Sequence, residues 1–315
     1  MSVEVFYIGG AGRSGSTLLS MILGNLPGFF AAGEVVDFWE HAGIPAIRCG
    51  CGELLNECPV WSKVMAAFEN KASPSVSQIF QYKNKFDRTR QLPFLKFDQS
   101  LNREGYQDYL HALGLLYKEI KKAAGGQTIV DSSKTPVHLF HLGKMPGAEI
   151  RVLHLMRDPR AVAYSWNNRV KKDPAFSQDA KSMDQRSYLN SIIRWKVENR
   201  FTEAFGQRQK AYTPLKYEDF TRDPYRSLSQ ALQVLGCTGH EGQLEFLKDQ
   251  GFQCQRTHSV GGNPVRFSEI TSISPNNTWQ TQMPPFLSWL LGMAALPLLK
   301  KYHYDVLHPF KKPGE

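Results

Sequence analysis

A glycine-rich run near the start of the chain constrains its fold more than any other feature. The run GAGRSGST (residues 10–17) follows an apolar, strand-like segment at residues 3–8 and precedes an apolar, helix-like segment at residues 18–23. In a strand, glycine-rich turn and helix, backbone N–H groups and the helix N-terminus converge on a phosphate. The sequence therefore predicts a phosphate-binding loop at the end of the first strand.

This loop departs at one position from the loop that binds nucleoside triphosphates. Gly10 and Gly15 have the spacing of that loop, and Thr17 stands where its hydroxyl residue belongs. Ser16 replaces the lysine that reaches the β- and γ-phosphates, and Arg13 is the only cation in the run. We therefore expect a phosphate-bearing ligand other than a nucleoside triphosphate.

The overall composition describes a globular protein with a sizeable core. The 315 residues are 42% hydrophobic and 21% charged, and the formal net charge is +9. A basic excess fits either a solvated surface or a cleft that concentrates anions. The first strand starts too early to leave room for a signal peptide, and the apolar residues 286–299, which include Pro297, are too few to span a bilayer. We expect a cytoplasmic protein in which residues 286–299 form a packing helix.

Four further segments have the apolar character of buried strands: residues 29–32, 127–131, 150–156 and 213–217. Their alternation with helical segments predicts an α/β fold, with a central parallel sheet covered by helices on both faces. Ligands bind at the carboxyl ends of such strands, and each of these segments is followed by polar residues. The sequence therefore predicts one shared site and a single domain, residues 1–315.

Residues 42–125 have a different pattern, with Gly-, Cys- and Pro-rich loops before a polar, aromatic-bearing stretch. We interpret them as a loop and helical insertion that covers the shared site. Three cysteines lie in this segment: Cys49, Cys51 and Cys58. They are one ligand short of a structural zinc set, and no His-x₃-His pair accompanies them. Free thiols are the favoured interpretation, and a local disulfide and a metal site are the alternatives.

A second basic motif follows the strand at residues 150–156. Asp158 and Pro159 are typical N-cap and first-turn residues, so a helix is predicted to begin here. Ser165 and Arg169 would then share one face of that helix. Together with Arg157 at the strand end, they could hold a second phosphate.

With both motifs, the chain resembles sulfotransferases that use 3′-phosphoadenosine 5′-phosphosulfate (PAPS), above all the bacterial and tyrosylprotein enzymes. In that family the loop binds the 5′-phosphosulfate, with a basic residue at the position of Arg13. An Arg and a Ser eight residues later bind the 3′-phosphate, as Arg157 and Ser165 would here. The resemblance covers roughly residues 3–41, 127–170 and 212–305, and it implies a P-loop-containing nucleotide-binding fold.

The resemblance implies roles for further residues. Glu34 matches a general base, and Lys134 a catalytic lysine. The segment at residues 258–266 resembles a loop that closes over the nucleotide. The implied nucleotide-binding residues are Arg13, Ser14, Gly15, Ser16, Thr17, Arg157, Ser165, Arg169, Tyr217, Ser259 and Arg266.

These residue types suit sulfuryl transfer to an acceptor hydroxyl. A carboxylate such as Glu34 can take the proton of the attacking hydroxyl, and cations such as Lys134 and Arg13 can stabilise charge on the departing phosphate. Transfer would be in line and would rely on positioning, so no metal is expected. The acceptor classes left open are a sugar, a phenol, a lipid, a natural product and a peptide tyrosine.

Two other interpretations compete with this one. In a P-loop kinase or nucleotide hydrolase, Asp131 would hold Mg²⁺, but Ser16 in place of the lysine argues against it. A non-catalytic polyanion binder would suit the net charge, but the basic residues do not form stripes with interleaved aromatics, so no nucleic-acid partner is expected. Within the sulfotransferase interpretation, His138, His141 and His154 are alternative bases.

Overall fold

Five parallel strands form the centre of the computed structural model, which describes residues 2–44, 46–69, 75–95, 103–168, 185–248, 253–269 and 272–305. The strands are β1 (Val3–Gly9), β2 (Phe29–Gly33), β3 (Thr128–Lys134), β4 (Ala148–Met156) and β5 (Ala211–Lys216). They form one sheet in the order β2-β3-β1-β4-β5, and every pairing is parallel. The predicted parallel sheet is confirmed.

Helices occupy most of the connections between these strands. They are α1 (Ser16–Gly24), α2 (Phe38–His41), α3 (Trp61–Glu69), α4 (Val76–Phe86), α5 (Leu92–Leu95), α6 (Tyr106–Ala123), α7 (Pro136–Lys144), α8 (Pro159–Asn167), α9 (Tyr188–Gly206), α10 (Tyr217–Arg222), α11 (Pro224–Val234), α12 (Thr278–Gln282) and α13 (Pro285–Lys301). Short 3₁₀ segments lie at Val35–Asp37, Thr89–Gln91, Glu241–Lys248 and Pro264–Phe267.

Both faces of the sheet are covered, which explains why β1 is apolar at nearly every position. Successive side chains of a strand point to opposite faces. Val5 and Tyr7 belong to a core shared with α6 and α7, whereas Phe6 and Ile8 belong to one shared with α1 and α11. The strand pattern thus places one hydrophobic core on each side of the sheet.

A third hydrophobic cluster packs the last two helices against α8 and α9. Trp195 of α9 is fully buried there, beside Trp279 of α12 and Leu291 of α13. Both the predicted helix near residues 184–206 and the predicted C-terminal packing helix are confirmed. Within the described ranges, no helix combines the length and apolarity needed to cross a bilayer.

Local signals explain where several helices begin. The Asp158 carboxylate accepts a hydrogen bond from the Arg160 backbone N–H (2.8 Å) and Pro159 occupies the first turn, so α8 starts where predicted. Thr135 caps α7 in the same way, with Pro136 following it. Because these caps directly follow β3 and β4, they bring the strand ends and the helix starts to the same edge of the sheet.

The segment at residues 42–125 joins the main core where the structure describes it. Trp61 of α3 and Tyr106 of α6 belong to the same hydrophobic cluster as Val5 of β1. These helices therefore pack on one face of the sheet. Coverage of an acceptor by this segment stays a prediction.

Candidate active site

The carboxyl ends of all five strands open into one cavity of about 650 Å³. Its wall contains residues that follow each strand: Arg13 after β1, Glu34 after β2, Lys134 at the end of β3, Arg157 after β4 and Tyr217 after β5. A strand order in which β1 lies between β3 and β4 places a ligand crevice at this edge. The predicted shared site is therefore present as a physical cavity, and the roles of its residues stay predictions.

The glycine-rich loop after β1 has a left-handed backbone at several positions. The φ angle is 125° at Gly10, 69° at Arg13 and 92° at Gly15. A Cβ atom at Gly15 would lie 2.7 Å from the ring of Tyr217, the first residue of α10, so only glycine fits at this position of the loop. Turns of this kind make anion-binding concavities. Ser16 and Thr17 open α1 beside the cavity.

The loop also holds a buried hydroxyl group, that of Ser14. The Ser14 side chain is buried, and its Oγ atom has no hydrogen-bond partner among the described residues. A buried polar group is normally hydrogen-bonded. The unsatisfied hydroxyl therefore fits a loop built around a polar ligand.

Glu34 and Lys134 form an ion pair at the cavity wall, with each side chain only 16% exposed. Burial raises the pKa of Glu34, Lys134 opposes that rise, and the nearby carboxylate of Asp37 adds to it. The backbone N–H of Glu34 donates to the carbonyl of Val260 (2.7 Å), a residue distant in the sequence. This hydrogen bond fixes the backbone at Glu34. The structure thus brings the predicted base and the predicted lysine into direct contact.

Arg157 lies between the phosphate loop and the end of β4. Its Nη1 donates to the Arg13 carbonyl (3.0 Å), and its Nη2 donates to the Asn276 carbonyl (2.9 Å). The guanidinium lies over the Tyr217 ring, 4.3 Å from its centroid. The Nε atom is buried and has no hydrogen-bond partner in the described part of the chain. These contacts therefore fix the guanidinium group of Arg157, and its Nε–H group remains able to donate a hydrogen bond to a ligand.

Trp166 is a cavity residue that the sequence analysis missed. Its ring lies between two guanidinium groups, with Arg13 at 4.7 Å and Arg186 at 3.6 Å from the centroid. Ser165, which was predicted, lines the cavity next to it. A tryptophan one residue after a predicted ligand was the only available signal, because its arginine partners come from distant parts of the chain.

The segment at residues 258–266, for which the resemblance implies closure over the nucleotide, contributes residues to the cavity lining. The Val260 N–H donates to the Ala32 carbonyl (2.9 Å), and the Asn263 N–H donates to the Thr17 hydroxyl (3.2 Å). We call residues 258–263 the strap, because this stretch connects the end of β2 to the phosphate loop. The strap therefore forms one wall of the cavity through its backbone.

Two predicted nucleotide-binding residues of this segment do not line the cavity. Ser259 is buried, and a Cβ atom at Gly50 would lie 2.3 Å from its Oγ, so this hydroxyl faces the cysteine-rich loop. Arg266 is also buried, donates to the Gly262 carbonyl and lies over the Phe267 ring. A short polar or basic residue in a closing loop can face either side, and the sequence does not reveal which. A third predicted residue, Arg169, lies outside the described residues.

The three histidines considered as alternative bases are all buried away from the cavity. His138 contacts the Asp87 carboxylate (2.7 Å), and His141 contacts the Tyr106 hydroxyl (3.0 Å). His154 contacts the Asn199 side chain (2.8 Å), and burial lowers its pKa to about 4. The cavity lining includes none of the three, which favours Glu34 over them as the candidate base. Sequence placed them near the correct strands but could not show that they point into the core.

Asp131, the Mg²⁺ ligand of the kinase interpretation, also makes its hydrogen bonds inside the core. Its carboxylate is fully buried and accepts hydrogen bonds from the Tyr117 hydroxyl and from the Ser133 N–H (2.8 Å). The Ser133 hydroxyl in turn accepts a bond from the Val36 N–H (3.0 Å). Asp131 therefore supports the turn after Glu34 and does not face the cavity.

Several lining residues carried no motif in the sequence. They are Asp37, Glu40, His41, Arg186, Arg194, Glu198 and Asn276. Lys83 of α4 approaches two of them, with its Nζ 3.9 Å from Asp37 and 4.0 Å from Glu40. The segment at residues 42–125 thus supports this wall from behind, and none of its described residues lines the cavity.

A parallel sheet with a glycine-rich phosphate loop and basic residues at its strand ends defines a P-loop-type nucleotide-binding enzyme. The chain belongs to the sulfotransferase family, whose family model matches residues 6–241. The predicted family, fold and enzyme class are confirmed. Membership establishes sulfuryl transfer as the class of reaction and implies PAPS as the donor and a hydroxyl-bearing acceptor.

Solved structures with a similar fold include two sulfotransferase domains. One comes from the curacin biosynthetic pathway, with a TM-score of 0.51, 17% identity, and coverage of 97% of this chain and 99% of that one. The other comes from the olefin synthase of Synechococcus PCC 7002, with a TM-score of 0.54, 17% identity and 97% coverage of both chains. No curated protein matches the chain.

The buried position of His138 makes the stability of the fold depend on pH. Burial lowers the pKa of His138, but the carboxylates of Asp87 and Asp131 outweigh it and raise the pKa from 6.5 to about 9. The protonated imidazole therefore stabilises the fold fully below about 6.5, and this stabilisation is lost as the pH rises through about 9. Across that window, the wild-type free energy of unfolding should fall by on the order of 3 kcal/mol more than that of His138→Gln.

Urea denaturation across this pH range measures the difference. His111→Gln is the matched control, because this residue is exposed on α6 and should leave the wild-type slope unchanged. Identical pH slopes for wild type and His138→Gln would contradict a charged His138 in the folded state.

Proposed function

We propose that this protein transfers the sulfuryl group of PAPS to an acceptor hydroxyl, with Glu34 as general base and with Lys134 and Arg13 stabilising the leaving phosphate. The observation that carries the proposal is the contact between Glu34 and Lys134 in the same cavity as the phosphate loop. A base and a cation in contact suit a reaction that removes a proton at one end and develops negative charge at the other.

The residues around the loop fit a ligand with two separated phosphate groups. The left-handed turn at Arg13 and Gly15 and the unpaired Ser14 hydroxyl suit one anion at the start of α1. Arg157, with its unpaired Nε, and Ser165 suit a second anion beside the start of α8. Two anion sites on neighbouring strand ends match the 5′- and 3′-phosphates of PAPS.

The donor supplies an activated sulfuryl group and a stable phosphate leaving group. Glu34 accepts the proton of the acceptor hydroxyl, and the pKa raised by its burial makes this carboxylate a stronger base than one in water. Lys134 holds Glu34 in place before the reaction and stabilises negative charge that develops on the phosphate side. Arg13, oriented by its stacking on Trp166, adds a second cation at the loop.

The wall around Glu34 favours a polar acceptor. Asp37, Glu40 and His41 follow Glu34 in the sequence and line the cavity, and Arg194 and Glu198 of α9 also line it. These side chains offer hydrogen-bond partners to an acceptor with several polar groups. Transfer of labelled sulfate from PAPS to a panel of sugar, phenol, natural-product, lipid and tyrosyl-peptide hydroxyls tests the proposal and identifies the class.

Binding of adenosine 3′,5′-bisphosphate separates a sulfotransferase from a nucleoside-triphosphate enzyme. At a hundredfold excess over Kd, the bisphosphate should stabilise the fold by about 2.7 kcal/mol, which is visible as a raised Tm. ATP should stabilise far less, with or without Mg²⁺, because Ser16 replaces the lysine that would hold its β- and γ-phosphates. Equal or greater stabilisation by Mg-ATP would favour the kinase interpretation instead.

Arg157 should recognise the 3′-phosphate specifically. Arg157→Ala should weaken binding of adenosine 3′,5′-bisphosphate by about 1.5–3 kcal/mol, the usual contribution of a hydrogen bond to a charged group. Its effect on adenosine 5′-phosphosulfate, which lacks the 3′-phosphate, should be small. Calorimetric titration with both ligands measures the two changes.

The matched control for that experiment is Arg151→Ala. Arg151 lies on the same strand, outside the cavity lining, and pairs with Glu4. This variant should bind both ligands normally. Equal weakening of both ligands by Arg157→Ala would instead assign Arg157 to support of the Arg13 carbonyl and the loop.

Glu34→Gln should lower kcat by about 10²–10⁴-fold, because the amide keeps the shape of the side chain but cannot accept a proton. Affinity for adenosine 3′,5′-bisphosphate should stay within a few-fold of wild type. The defect should shrink as the pKa of the acceptor hydroxyl falls, since an acidic phenol needs less help from a base. Steady-state rates on a series of phenols measure this dependence.

Asp37→Asn is the informative comparison, because its carboxylate lines the same wall but lies against Lys83. We expect this variant to retain most of its turnover. Normal turnover by Glu34→Gln on a high-pKa alcohol, together with a large loss in Asp37→Asn, would move the base to Asp37.

A further inference from the structure

Four side chains of metal-ligating types meet outside the cavity lining, at the start of the strap. They are Cys49, Cys51, Cys58 and His258, and their donor atoms all lie within 4.8 Å of one another. We call these four residues the cysteine cluster. In the sequence the three cysteines were one ligand short of a zinc set. The fold supplies the fourth ligand from a position 200 residues after Cys58.

The spacing of the cysteine cluster suits a tetrahedral metal ion. The Cys58 Sγ and the His258 Nδ1 are 3.3 Å apart. In a zinc site with Zn–S distances of about 2.3 Å, tetrahedral geometry separates two sulfur ligands by roughly 3.8 Å. The donor atoms of the cluster, all within 4.8 Å of one another, are thus close to the separations of a tetrahedral site.

The backbone of the cysteine-rich loop is held by its own hydrogen bonds. The Cys49 N–H donates to the Glu53 carbonyl (2.9 Å), and the Gly52 N–H donates back to the Cys49 carbonyl (2.9 Å). Gly52 has a φ of 102°, which favours glycine at this turn. The turn therefore presents Cys49 and Cys51 as a pair before any metal binds.

Separate contacts bring His258 to that pair. The Trp61 indole N–H donates to the His258 carbonyl (2.6 Å), and the Gly50 N–H donates to the Ser259 carbonyl (2.9 Å). A Cβ atom at Gly50 would lie 2.6 Å from the Thr257 carbonyl oxygen, so glycine is needed where the two chain segments touch. The fold thus preorganises all four ligands.

A disulfide explains this arrangement less well than a metal. One bond would use two of the three sulfurs and leave a thiol and an imidazole facing each other beside it. All the described cysteines are free thiols, and Cys49 and Cys58 are fully buried. Three thiolates and one imidazole are a common ligand set for structural Zn²⁺, and softer thiolate ligands select against Mg²⁺ and Ca²⁺.

We propose that Cys49, Cys51, Cys58 and His258 bind one structural Zn²⁺ ion that ties the cysteine-rich loop to the strap. The protein fills all four positions, which leaves no place for a substrate and separates this site from a catalytic zinc. The tie matters for the cavity because His258 begins the strap, and the strap carbonyl of Val260 accepts the Glu34 N–H. The metal would therefore hold the wall beside Glu34.

Metal analysis of the full-length chain, purified under reducing conditions and reconstituted with Zn²⁺, tests the proposal. We expect about one zinc per chain, and X-ray absorption should show three sulfurs at about 2.3 Å and one nitrogen at about 2.0–2.1 Å. Cys58→Ser and His258→Ala should lose most of this zinc. Cys237→Ser should retain it, because Cys237 is a free thiol outside the cysteine cluster.

A chelator experiment on the wild-type chain tests the proposal even when the variants fail to fold. Removal of zinc should increase amide hydrogen exchange in the strap, and Co²⁺ added back should give the visible absorption of a tetrahedral thiolate site. A folded wild-type chain that binds no zinc after reconstitution, or that carries a disulfide between two of these cysteines, would overturn the proposal. Unchanged amide hydrogen exchange in the strap after zinc removal would contradict the proposal that the metal links the cysteine-rich loop to the strap. None of these measurements depends on sulfotransferase activity, so their outcome is independent of the proposed function.

Discussion

Parallel strands in one sheet end at the same edge, and this constraint determines where the chemistry of the protein lies. Each of the five strands is followed by a turn that is polar or positively charged, and the sheet order brings these turns around one cavity. Because β1 lies between β3 and β4, the phosphate loop is flanked by Lys134 on one side and by Arg157 on the other. The cations on both sides of the phosphate loop therefore follow from the topology of the sheet as much as from the net charge of the chain.

Burial of a carboxylate among these cations is the main electrostatic feature of the cavity. Desolvation alone disfavours the charged form of Glu34, whereas the ammonium group of Lys134 favours it. Lys134 adopts a left-handed backbone, with a φ of 68°, which costs free energy in a residue other than glycine. That conformation ends β3 with the lysine against Glu34. The geometry thus maintains a basic carboxylate and a cation in direct contact at the cavity wall.

Long-range contacts complete the site where local structure cannot. The strap reaches Gly33, Glu34 and Thr17 from more than 200 residues away, and it does so mainly through backbone groups. The cysteine cluster lies at the start of the same strap and joins it to the loop at Gly50. In this arrangement the cysteine-rich loop, which seemed separate from the active site in the sequence, supports the wall of the cavity. Its helical continuation supports another wall through Lys83.

Local patterns in the sequence determined the parallel sheet, the phosphate loop and the start of α8, because strand, glycine-turn and capping signals act between near neighbours. The ends of the strands were predicted less accurately. Strand β3 continues to Lys134, past the predicted end at Asp131, because buried hydrogen bonds allow polar residues in the strand. Only the tertiary structure decided which way side chains point. It placed Trp166 between two arginines, turned His138 into the core, and paired His258 with three cysteines. Such pairings depend on packing between distant segments, and neither periodicity nor spacing along the chain records them.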